Sequence, residues 1–126
     1  MIKGEKWRRF EGKNFECVID LGKESNITTL AAGFLQDSRA WILFPVKVEF
    51  EISADGNNFK NVLTVTNNVP ADDYKVQLKE FTGIIAPEKA RYVKVKAMNM
   101  GKLPPWHEGH EYDGDAWIFT DEVLIE

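Results

Sequence analysis

The sequence has one cysteine, Cys17, in 126 residues. A single thiol excludes an internal disulfide. Positive charge is not in excess: sixteen Lys and Arg stand against twenty Asp and Glu, for a net charge of −4. That balance argues against a nucleic-acid surface, which would show a basic stripe. No run of about 18 apolar residues exists, the length that marks a membrane-crossing helix. Lys3, Glu5 and Lys6 interrupt the apolar stretch that a signal peptide would need. No segment keeps a 3.6-residue period over ten or more positions, and only "PEKA" (87–90) suits a single helical turn. Internal repeats, low-complexity segments, a Gly-rich phosphate loop and a nucleophile elbow are all missing.

What remains has a period of two. In "VKVEFEIS", Val46, Val48, Phe50 and Ile52 alternate with Lys47, Glu49 and Glu51. This is a strand with one apolar and one wet face. "RYVKVKA" repeats it, with Val93, Val95 and Ala97 against Lys94 and Lys96. "NITTLAAGF" sets Leu30, Ala32 and Phe34 on one side; "FKNVLTV", "YKVQLKEF" (74–81) and "EVLIE" are further strands. Phe15, Cys17, Ile19 and Leu21 alternate with Glu16 and Asp20, so Cys17 is expected on an apolar face as an inert thiol. "DLGKES" (20–25) and "SADGNNF" (53–59) carry the Gly, Asp and Asn of tight turns. The length implies one domain, 1–126, and short strands with such punctuation imply an all-β sandwich.

Two connections are long for a compact domain, "QDSRAWILFP" (36–45) and residues 99–117. Both are rich in aromatic side chains and are expected at one end of the sandwich. The second contains "PPWHEGHEYDGDAW" (104–117), which holds both histidines, His107 and His110, and two of the four tryptophans. A transition-metal site would use these histidines and the carboxylates around them. There is no third histidine, no second cysteine and no helix to place them on one face. Paired carboxylates could serve glycoside hydrolysis, but none sits in an apolar setting that would raise its pKa. A sugar-binding surface fits better. Sugars present C–H patches to aromatic rings and hydroxyls to forked donors and acceptors. Trp41, Trp106 and Trp117 are the candidate rings; Gln36, Asp37, Arg39, His107 and Glu108 are the candidate edge partners. Trp41 and Trp117 serve equally as core anchors, since apolar residues flank both, and Arg39 as a surface ion-pair partner of Asp37.

"VIDLGK" (18–23) after Trp7, "VEFEISADGNNF" (48–59), "ARYVKVKA" (90–97) and "DEVLIE" (121–126) together resemble the coagulation factor V/VIII type C, or discoidin, domain. That family includes family-32 carbohydrate-binding modules. "GFLQDSRAWILFP" and "PPWHEGH…AWIFTDE" resemble the domain that follows the catalytic domain in bacterial chitobiase-type β-hexosaminidases. The resemblance implies an eight-stranded jelly-roll sandwich and a non-catalytic accessory module within a larger glycosidase. The implied ligand is a glycan of N-acetylhexosamine or galactose type. The implied setting is a monomer, exported or at the cell surface with its parent enzyme, whose catalytic domain is a partner. Trp117 occupies the place of the family's sugar-stacking aromatic. Glu122 matches a residue that completes the family's structural calcium site, while part of the N-terminal calcium loop has no counterpart before Trp7. The alternative is a structural domain that buttresses the catalytic domain through the same aromatic loops.

Overall fold

Alternating apolar and charged side chains become strands wherever the sequence carries them. The computed structural model describes residues 2–3, 8–11, 14–70, 72–100 and 117–126. Among these are seven strands: β1 (Ile2–Lys3), β2 (Arg8–Glu11), β3 (Phe15–Gln36), β4 (Lys47–Ser53), β5 (Lys60–Thr66), β6 (Gln77–Met98) and β7 (Trp117–Ile125). All pairings are antiparallel, in the order β1-β7-β3-β6-β4-β5, with β2 also against β7.

The 22-residue strands β3 and β6 form the shared spine. Residues 15–20 of β3 pair with 92–97 of β6, which continues to β4 and β5. Residues 25–36 of β3 pair with 77–90 of β6, and this half of β3 also pairs with β7. Apolar side chains of both halves meet in one core that includes Leu30, Phe34, Phe50, Phe81, Val93 and Val95. The ladder therefore folds over itself into the expected all-β sandwich. Phe81 sits edge-on to Phe34 (5.4 Å) and to Phe44 (5.8 Å). Burying each such ring contributes about 1.5–3 kcal/mol.

Two irregularities make the fold-over, and both correct expectations from sequence. "DLGKES" does not reverse the chain. It is a bulge in which residues 21–24 of β3 face Arg91 alone, between the pairs Asp20↔Tyr92 and Ser25↔Ala90. Gly22 takes φ 86° there, and its N–H donates to Asp20 Oδ1 (2.8 Å). "PEKA" is strand, not helix. Pro87 falls in the second irregularity, between Thr29↔Ile84 and Ile27↔Glu88, where no ladder N–H is required of it. "YKVQLKEF" enters β6 only at Gln77, and that strand runs unbroken to Met98. Cys17 is half-buried and packs against the core, on the apolar face expected of it.

The fold brings the long connections together. Gln36, ending β3, pairs with Gln77, beginning β6. Val46 N–H donates to Met98 O (2.7 Å) and Asn67 N–H to Val46 O (2.9 Å). The ends of 37–46, the start of 67–76 and the start of the segment after Met98 thus lie at one end of the sandwich.

Candidate functional site

The 37–46 loop begins as a closed tip. Asp37 N–H donates to Ile42 O (2.9 Å), and Ile42 N–H returns to Asp37 O (3.0 Å). Between them Ser38–Ala40 form one 3-10 turn, to which "DSR" is suited because Asp and Ser tolerate tight local geometry. Trp41 ends the turn with φ 66° and ψ 18°. It is the one non-glycine with positive φ among the described residues. The left-handed conformation costs an ordinary residue about 1–2 kcal/mol. Glycine or asparagine would fill that position without strain. Such strain persists where surrounding structure enforces it, and it gathers at ligand sites.

Below the tip, Gln36 holds the loop down. It is 1% exposed. Its Nε2 donates to Pro70 O (3.0 Å) and Asp73 O (3.3 Å), and its Oε1 accepts from Phe44 N–H (3.2 Å). Sequence placed it among the candidate sugar contacts. Both amide hydrogens are spent on backbone, so the side chain positions the loop against the 67–73 segment.

Arg39 projects from the tip, exposed, and its guanidinium carbon lies 5.4 Å from the centre of the Tyr74 ring. Tyr74 is itself 44% exposed. Among the described residues no carboxylate lies within ion-pair distance of Arg39, so the alternative pairing with Asp37 does not form. Asp37 and Trp41 are half-buried beside it. Trp117 opens β7, two residues before the pair Leu35↔Phe119, so its backbone falls level with Asp37. Of the sequence-predicted set, the structure brings Asp37, Arg39, Trp41 and the Trp117 backbone to one end. Trp106, His107, Glu108 and His110 lie outside the described residues.

Tyr74 is the residue that sequence reasoning missed, having been placed inside a strand. The signal was present in "NNVPADDY" (67–74), whose Asn, Pro and Asp mark a third loop. Among the described residues there is no group of three or more His, Cys, Asp or Glu that could hold a metal, and of Glu122 only the backbone, within β7, is described.

The perturbed carboxylates lie at the other end of the sandwich, Asp20 at the β3 bulge and Asp55 in the turn after β4. Arg91 grips Asp20 through two bonds, Nε to Oδ1 (2.9 Å) and Nη2 to Oδ2 (3.0 Å). These and the Gly22 N–H hold the Asp20 carboxyl below its ordinary range. Asp55 is held lower still, by the backbone N–H groups of Asn58 and Asn57, then the Asn58 amide and the Ser53 hydroxyl. Neither carboxyl has the apolar surroundings of a general acid.

A two-layer antiparallel sandwich that gathers its long connections at one end of a continuous ladder is a display scaffold of the discoidin type. The chain belongs to the F5/8 type C domain family, whose pattern it matches over residues 2–116. Among solved structures it is similar to CBM32-1 from a family 31 glycoside hydrolase of Clostridium perfringens, with 16% identity and TM-score 0.54 over 98% of this chain and 92% of that one. A fragment of a putative chitobiase from Bacteroides thetaiotaomicron matches with 17% identity and TM-score 0.51, over 87% of this chain. CpGH89CBM32-5 from Clostridium perfringens, in complex with GalNAc-β-1,3-galactose, matches with 24% identity and TM-score 0.49, over 84% of this chain. The chain spans 61% and 64% of the lengths of the last two, respectively. No curated protein matches the sequence.

Proposed function

We propose that this domain is a non-catalytic carbohydrate-binding module whose loop end receives a glycan. The carrying observation is the Arg39–Tyr74 stack beside the strained Trp41. A guanidinium held near a ring keeps its planar N–H fork, which suits paired bonds to vicinal hydroxyls. Trp41 and Trp117 are proposed to supply rings for the C–H face of the sugar, Asp37 an acceptor, and Trp106 and His107 further contacts. The family and its carbohydrate-binding neighbours support this class of ligand. N-acetylhexosamine- or galactose-type sugars are the proposed targets. The parent is proposed to be an exported or surface-bound glycoside hydrolase of the hexosaminidase type, to which the module adds weak, tethered affinity. Calcium, if bound through Glu122, is structural in this proposal and takes no part in sugar contact.

The test is titration of the domain with N-acetylglucosamine, galactose and chitobiose, followed by tryptophan fluorescence and amide shifts. Saturable shifts clustered at Asp37–Trp41, Tyr74 and Trp117 are expected. Silence across a broad glycan panel would sink the reading.

One observation favours a second reading, a domain that buttresses the catalytic domain. Val76 is 62% and Leu78 63% exposed, and with Tyr74 they form an alternating apolar row next to the tip. Protection of this row in the parent protein, together with glycan silence, is the result that reading requires.

A further inference from the structure

One side of β6 is open. Residues 77–90 pair with β3, whereas β4, on the opposite side, takes only 92–98. Among the described residues no strand therefore lies along the outer side of 77–84. The inner face of that edge is closed. A Cβ at Gly83 would lie 2.7 Å from Leu63 Cδ1, so β5 packs over the strand there without pairing to it.

An open ladder edge is a template for another strand, and natural edges are blunted by charge, proline or a bulge. This edge is blunted weakly. Lys79 is turned inward, where its ammonium bonds Asn68 Oδ1 and lies 5.1 Å from the centre of the Phe81 ring. Pro87 and the ladder irregularity come only after Ile84. Between Lys79 and Pro87, "FTGIIA" (81–86) carries no charge and no proline. Such β-rich, uncharged windows pair readily. The outward side chains are apolar at the two ends of the edge: Leu78 is 63% and Ile84 83% exposed. β5 is open on one side too, but its exposed side chains are Lys60, Asn61, Thr64 and Thr66.

The outward row of Leu78, Glu80, Thr82 and Ile84 matches itself in one register. When two copies pair antiparallel about a two-fold axis centred on residue 80, Glu80 opposes the partner's Glu80, a destabilising like-charge pair. With the axis on residue 82, Glu80 opposes the partner's Ile84. With the axis on residue 81, Leu78 opposes the partner's Ile84, twice by symmetry, and Glu80 opposes the partner's Thr82. That register alone of the three sets apolar against apolar and keeps Glu80 away from both a like charge and an apolar chain. On the inner face, Lys79 then opposes the partner's Gly83, which has no side chain to obstruct it.

We propose that this edge pairs with the same edge of a second copy, about a two-fold axis at Phe81, and joins two sandwiches through one continuous sheet. The inference is independent of the glycan reading, since the edge includes none of Arg39, Trp41 and Trp117. It replaces the monomer implied by the family resemblance. A second copy is favoured over the catalytic domain as the occupant because the row matches itself. So short an edge makes a small interface, of the weak and transient class.

The test is sedimentation equilibrium of the domain, which should show monomer and dimer in proportions that move with concentration. Ile84→Lys places a charge on the exposed edge, twice per dimer. It should weaken the dimer about tenfold or more and leave the circular dichroism spectrum unchanged. Val18→Lys, at an exposed apolar position on the other half of β3, should leave the dimer as strong as in the native domain. The double variant Leu78→Cys/Ile84→Cys should cross-link two copies under mild oxidation, and Leu78→Cys alone should not. A monomer at every concentration overturns the proposal and returns Leu78 to the buttress reading. A dimer that Ile84→Lys leaves intact lies on another surface and overturns it as well.

Discussion

Arg39 and Tyr74 come from different loops, 35 positions apart by their residue numbers, and the guanidinium stacks over the ring at 5.4 Å. The sequence gives no local reason for their meeting. They meet because Gln36 ties the loop after β3 to the carbonyls of Pro70 and Asp73. A cation–π pair at an exposed site contributes about 0.5–1 kcal/mol, too little to organise the loops. The buried amide organises them, and the stack is the consequence.

Arg39→Lys and Tyr74→Ala should therefore leave the fold intact. Each is expected to lower stability by no more than about 1 kcal/mol. Glycan affinity should fall several-fold in both, as measured by calorimetric titration. Lysine keeps the charge but lacks the planar fork, so an Arg39→Lys variant that binds like the native domain would remove the stack from the site.

Gln36→Leu should do the reverse. It leaves the Phe44 N–H and the two carbonyls of Pro70 and Asp73 without their present partner. An unsatisfied buried group costs about 1–3 kcal/mol, so a loss of roughly 2 kcal/mol or more is expected in urea unfolding. Amide shifts should concentrate in 37–46 and 67–74.

Trp41→Gly separates strain from recognition. Glycine accepts φ 66° without penalty, which returns about 1–2 kcal/mol. Loss of the half-buried ring costs a similar amount, about 1–2 kcal/mol. The melting temperature should stay within a few degrees of native while glycan binding is lost. Retained binding in this variant would show that the ring is an anchor only.

Acid should weaken the far end of the sandwich. Asp20 and Asp55 both have carboxyl pKa values lowered from an ordinary 3.8. Their contribution is complete above pH 3.8 and declines as pH falls towards the folded-state values, because the unfolded chain then binds the proton more readily. Denaturant midpoints should thus fall below about pH 4. In Asp55→Asn the midpoint should be lower at pH 6 and its acid slope shallower. Both carboxyls are exposed, so salt should reduce the effect, most clearly for the Asp20–Arg91 pair.

Gly56 and Gly22 offer a contrast at matched backbone geometry. Their φ values are 80° and 86°. A Cβ at Gly56 would lie 3.3 Å from two carbons of the Tyr92 ring, whereas at Gly22 it would meet nothing within 4 Å. Alanine at either should cost about 1 kcal/mol or more from the backbone alone. Gly56→Ala should cost more than Gly22→Ala in thermal unfolding, because the ring must also give way.

The sequence by itself determined the strands and the core. Apolar side chains at every second position can be buried only by a pleated strand facing another, so Val48, Phe50, Ile52, Val93 and Val95 were legible as core. Turn chemistry was legible at "SADGNNF", where Ser53, Asp55 and Asn58 bond among themselves within a few residues. It misled at "DLGKES", since the same residues suit a turn and a bulge, and the choice depends on Arg91, across the sheet. That the 36–45 connection lies at one end of the sandwich was legible; which side chains share that end was legible only in part. Local pattern carries no information on a partner dozens of residues away, so only the tertiary structure decided that Gln36 faces inward, that Trp41 is strained and that Tyr74 lies under Arg39. Those outcomes follow from where the spine ends, which the long-range pairing of β3 with β6 sets.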